Sequence, residues 1–131
     1  MNRSDEYARV LLQKARDDQY VLVHLAGDAG APPWTLGFHA QQAVEKALKA
    51  ILCAQGVEYP MTHDLQRLLD LATGAGLALP PQADQMPLLT LFGAALRYDE
   101  VPAMPGGKPF DRQWAIGLVE HVIGWAETLL G

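Results

Sequence analysis

The chain has 131 residues, half of them apolar, enough for one domain with a core that needs neither metal nor disulfide. Fifteen Asp and Glu against ten Lys and Arg leave a formal charge of -5, which excludes recognition of nucleic acid through an overall positive field. The single cysteine, Cys53, excludes an intrachain disulfide and fits a reducing cytoplasm, and no apolar run approaches the roughly 20 residues that cross a bilayer.

The opening residues, Met1 to Glu6, are charged and unlike a secretory signal. Ser4 followed by Asp5 and Glu6 starts a first helix that runs to about Leu25, the acids complementing the positive end of its dipole. Its inward stripe reads Tyr7, Leu11, Ala15, Asp18, Leu22 and Leu25. A carboxylate on that stripe needs a partner. Asp18 therefore either ties two helices together or belongs to a site.

After the break from Gly27 to Pro33, a second helix runs from about Trp34 or Thr35 to Gln55, closed by Gly56 in a left-handed cap. At about 100° per residue, Ala40, Val44, Ala47, Leu48, Ile51 and Leu52 gather on one side. Opposite them fall His39, Gln42, Lys46, Lys49 and Cys53. An ordinary solvated face alternates acids and bases, whereas this one aligns an imidazole, an amide and two ammonium groups. Gln41 and Glu45 lie towards the apolar arc, where each needs a partner. Cys53 reads as a small half-buried hydrophobe or as a reactive thiol.

Pro60 keeps Tyr59 out of helix, and Thr62 is placed to cap a short third helix through about Thr73, with Asp64 in its first turn and His63 beside the cap. Gly74, Gly76 and Pro80-Pro81 make the next break. A fourth helix covers about Ala83 to Tyr98, with Met86, Leu89, Leu91, Phe92, Ala95 and Leu96 as apolar content. Arg97 near its end suits the dipole. A loop from Val101 to Pro109 leads to a last helix from about Asp111 to Leu130, to which Trp114 and Trp125 add apolar bulk. No strand pattern stands out. The expected fold is all-α, an antiparallel up-and-down bundle of four long helices plus one short helix.

There is no glycine-rich phosphate loop, paired-cysteine motif or zinc helix, and His24, His39, His63 and His121 lie on different elements. No metal and no cofactor is expected.

The run Phe38-His39-Ala40-Gln41-Gln42-Ala43-Val44-Glu45-Lys46-Ala47-Leu48-Lys49-Ala50, the block Tyr59-Pro60-Met61-Thr62-His63-Asp64-Leu65 and the pair Arg97-Tyr98 resemble the HEPN family (higher eukaryotes and prokaryotes nucleotide-binding). Lys14-Ala15-Arg16-Asp17-Asp18 resembles that family's first helix, which places its acidic position on Asp18. The resemblance implies a cytoplasmic single-domain helical homodimer, without a membrane segment, that works beside a minimal nucleotidyltransferase in a toxin–antitoxin-type pair. It implies a nucleotide- or RNA-binding site drawn from Asp18, His39, Gln42, Glu45, Lys46, Lys49, Arg97 and Tyr98. Glu45 is expected to orient Arg97 or Lys46. Some relatives are metal-independent ribonucleases that carry an Arg-x4-6-His motif. Arg97 matches its arginine, but the histidine positions hold Pro102, Ala103 and Met104. The expected role is therefore a non-catalytic binding or partner subunit. The alternative is a ribonuclease toxin with a degenerate motif, in which His39 or His63 replaces the motif histidine.

Overall fold

The computed structural model describes residues 3–97, 104 and 108–131, with residues 94–97 described as backbone alone. These residues are helical throughout their regular structure. The elements are α1 (Arg3–Ala26), α2 (Pro33–Ala54), α3 (Leu65–Gly74), a 3-10 helix (Ala83–Arg97) and α4 (Arg112–Leu130). None of these helices is long and apolar enough to cross a membrane.

Helix α2 is the centre, in contact with each of the other four. From Trp34 to Ala54 every residue is buried or half-buried. The six residues of its apolar arc are sealed from solvent, and Leu12, Leu22, Leu65, Leu68, Leu118 and Val122 from α1, α3 and α4 close over the same core. The Cys53 thiol reaches Ser4 O at 3.4 Å, so α2 runs back along α1. Arg9 donates to Leu130 O, and Arg112 to Ala26 O, so α4 also runs against α1.

The helix ends follow from local chemistry. Gly56 takes φ 71°, and the Gly56 N–H bonds Cys53 O while the Val57 N–H bonds Leu52 O, the paired bonds of a Schellman cap. Gly76, at φ 81°, ends α3 in the same way. Asp64 rather than Thr62 caps α3, its Oδ1 accepting from the Gln66 and Arg67 N–H groups, while Thr62 Oγ1 takes the Asp64 N–H. The aspartate wins because its ionised oxygen also benefits from the helix dipole. Asp111 caps α4 by accepting from Trp114 N–H.

The fourth segment departs from expectation. It winds for 15 residues as a 3-10 helix, where four comparable long helices were anticipated. Runs beyond three or four residues are uncommon in this form, because side chains three apart eclipse one another. Here that eclipsing is used. Ala83, Met86, Leu89 and Phe92 recur every third position and are all buried. Pro87 adds a local cause, since its ring excludes the α-type bond to the Ala83 carbonyl. A 3.6-residue period wrongly counted Leu91 as core, and it is 63 % exposed. Tyr7, assigned to the inward stripe of α1, is likewise 54 % exposed, because α2 reaches that end of α1 only through Cys53.

Arg112 was not anticipated as a structural residue. Its guanidinium donates to Ala26 O at 3.0 Å, Asp28 O at 2.6 Å and Ala31 O at 3.0 Å. One planar donor fork thus satisfies the carbonyls left over at the end of α1 and in the following turn, where the helix dipole favours a cation.

Candidate functional site, a polar seam along α2

On the side of α2 away from the core, two buried carboxylates organise the polar residues. Asp18 comes from the inward stripe of α1 and Glu45 from α2 itself, and both are largely removed from solvent. Asp18 Oδ1 accepts from His39 Nδ1 at 3.0 Å, and Asp18 Oδ2 accepts from Lys46 Nζ at 2.6 Å. Glu45 Oε1 accepts from His63 Nδ1 at 2.7 Å and from Gln41 Nε2 at 2.8 Å, and Glu45 Oε2 from Lys49 Nζ at 3.0 Å. Each carboxylate therefore holds one histidine and one lysine.

The spacing on α2 sets this arrangement. His39 and Lys46, seven residues apart, share the flank facing α1, and Glu45 and Lys49, four apart, share the flank facing the loop before α3. Gln42 lies between them and donates to Gln41 Oε1 at 2.7 Å. Gln41 is wholly buried, and its amide hydrogens go to Glu45 and to His63 O at 3.3 Å. With donors and acceptor all used, the amide has one orientation. Gly93 fixes it sterically, since a Cβ there would sit 2.9 Å from Gln41 Cδ.

Burial works against ionisation of Glu45, but hydrogen bonds from Gln41, His63 and Lys49, with the Lys49 charge, outweigh it and hold the carboxyl below its ordinary value. Lys49 also lies 5.7 Å from the centre of the Tyr59 ring, a cation over an aromatic face. Burial, then Tyr7 and Cys53, push the Tyr59 phenol upward. Burial and Asp5 push the Cys53 thiol upward as well. A raised thiol is a poor nucleophile, which leaves Cys53 as packing.

An imidazole held by a carboxylate must carry its proton on Nδ1 to make that bond, so Nε2 becomes its working atom. His63, with a side chain 56 % exposed, has no hydrogen-bond partner on Nε2 among the described residues. It can donate there to an anion or take part in proton transfer. His39, 24 % exposed, packs edge-on against Phe38. Among the described residues no cluster of three His, Cys, Asp or Glu side chains is arranged to hold a metal.

Seven of the expected site residues thus meet along one seam: Asp18, His39, Gln42, Glu45, Lys46, Lys49 and His63. Two expectations are corrected. Lys46 belongs to Asp18 rather than Glu45, because it projects to the α1 flank, while Glu45 takes Lys49, one turn away, and His63. His63 is not part of the α3 cap, a role filled by Asp64. The Arg97 backbone closes the 3-10 helix, its side chain is outside the description, and Tyr98 lies outside the described residues. Sequence reasoning missed Tyr59 and Gly93. The proline after Tyr59 marked a turn without showing what the ring would cover, and a helical glycine signals close approach but not its partner.

The family model described as the HEPN domain matches residues 8–129. No curated protein and no solved structure matches the chain. The match spans nearly every helix and every residue of the seam, and the chain belongs to the HEPN domain family.

Proposed function

We propose that this chain is a non-catalytic HEPN subunit that binds the phosphate of a nucleotide or RNA along the α2 seam. In this reading it is a single-domain homodimer and the partner of a minimal nucleotidyltransferase in a toxin–antitoxin-type pair. The supporting observation is the pairing of buried Asp18 and Glu45 with His39, Lys46, Lys49 and His63, which aims nitrogen donors along one face. Such donors are the groups that recognise phosphate. The absence of histidine at Pro102, Ala103 and Met104 favours binding over cleavage.

The test is mass spectrometry of the purified protein for bound nucleotide, together with fluorescence anisotropy on a labelled single-stranded RNA and co-purification with a co-expressed minimal nucleotidyltransferase. Nucleotide or RNA binding with complex formation is the expected result. Failure of all three would overturn the proposal.

One observation favours a second reading. The Glu45–His63 pair, at 2.7 Å, has the form of an oriented general acid or base. Incubation with transfer and messenger RNA in chelator separates the two readings. Cleavage that disappears in His63→Gln would establish a ribonuclease.

A further inference from the structure

The charges along the seam cancel pairwise. Lys46 is neutralised by Asp18 at 2.6 Å and Lys49 by Glu45 at 3.0 Å. Gln41 and Gln42 are neutral, and the Tyr59 phenol and Cys53 thiol, both pushed upward, stay uncharged near neutrality. Asp64, the charged neighbour on the α3 side, has its carboxylate committed to the cap of α3. On the α1 side, Asp17 is exposed and takes a bond from Gln13. Two carboxylates and two ammonium groups therefore sum to zero, on a chain whose formal charge of -5 already repels anions. The two imidazoles are the remaining variable. Each faces a carboxylate through Nδ1, so protonation adds a positive charge whose second N–H, on Nε2, points away from that carboxylate.

From this balance we infer that the seam is a proton-gated oxyanion site, which takes a phosphate-bearing ligand when His39 and His63 are protonated and releases it when they are neutral. The inference rests on the phosphate-binding reading above and adds its regulation. The lysines set the local charge to zero instead of supplying attraction, and the histidines supply the switch. Histidine is the side chain whose unperturbed charge change falls between about pH 5 and 8, so the gate operates near neutrality. Phosphates of a free nucleotide and of RNA share the recognising chemistry.

The experiment measures binding of ATP by calorimetry and of a fluorescein-labelled single-stranded RNA by anisotropy, from pH 5.5 to 8.5 at constant ionic strength. The expected result is a fall in affinity of about tenfold or more from pH 6 to pH 8, with log Kd rising by up to about one per pH unit for each histidine. The probe that shows this slope identifies the source of the phosphate. Calorimetry in two buffers of different ionisation enthalpy should show proton uptake on binding, a readout that needs no variant. His63→Gln should reduce the slope and the double variant His39→Gln, His63→Gln should flatten it. Asp18→Asn should strengthen binding at pH 8, because the Lys46 charge is then uncancelled. Binding that is flat with pH and takes up no proton, or a slope retained in the double variant, would overturn the gate while leaving the phosphate-binding reading intact. Absence of binding to either probe at every pH would overturn both.

Discussion

The Phe92 ring lies so close to the backbone of Gly37 that a Cβ on Gly37 would come within 2.2 Å of the ring carbon Cδ1. That contact seats the 3-10 helix on α2. Elsewhere alanine improves on glycine in a helix by about 1 kcal/mol. Here overpacking should prevail, and Gly37→Ala should destabilise the protein by about 1–3 kcal/mol in urea unfolding. Phe92→Leu in the same chain should recover part of that loss. Gly117→Ala and Gly124→Ala, where an added Cβ meets nothing within 4 Å, should instead stabilise by about 0.5–1 kcal/mol. Equal effects at the three glycines would contradict the packing.

Arg112 offers a second test. Removing its guanidinium orphans carbonyls at Ala26, Asp28 and Ala31, and Arg112→Ala should cost about 1.5–3 kcal/mol, the scale for hydrogen bonds from a charged group. Lysine should restore only a fraction, because one ammonium cannot span the three acceptors. Thermal melts of the two variants beside the parent would show the ordering.

Asp18→Ala should cost about 1–3 kcal/mol, because it leaves Lys46 and His39 half-buried without their acceptor. Unchanged stability would mean that the pairs at 3.0 and 2.6 Å carry little of the α1–α2 contact.

The depressed Glu45 carboxyl makes stability depend on pH with a defined sign. Because the folded value lies below the unfolded one, the unfolded chain binds more protons between them, so stability rises with pH there. The Glu45 contribution is complete above its ordinary value of 4.5 and is lost as pH falls through the lower folded value. Urea unfolding from pH 3 to 6 should therefore show a decline below about pH 4.5 that is shallower in Glu45→Gln.

Much of the seam was legible because its signal is a mismatch. Asp18 stood on an apolar stripe and Glu45 beside an apolar arc, and a buried carboxylate must find donors wherever the chain folds. What could not be read was which donor each would take. Lys46 and Lys49 are three residues apart, and about 60° of rotation on α2 sends one to α1 and the other to Glu45. The 3-10 helix was hidden for a related reason. Leu88, Leu89, Leu91 and Phe92 satisfy a 3.6-residue period as well as a strict period of three. The choice falls to tertiary contact with Gly37 and Gln41.

The tight winding of the Ala83–Arg97 segment also sets its reach. At about 2.0 Å per residue its 15 residues cover roughly 30 Å, nearly the roughly 33 Å that 22 residues of α2 cover at about 1.5 Å each. The segment acts as a gauge laid beside the central helix, placing Arg97 by count alone. One residue inserted after Leu89 would turn everything downstream by about 120° and carry Phe92 off Gly37. Three inserted residues would preserve the buried ridge but push Arg97 about 6 Å further along. Changes in length and changes in facing are therefore separable in this segment, and only multiples of three can move its end without dismantling its seat.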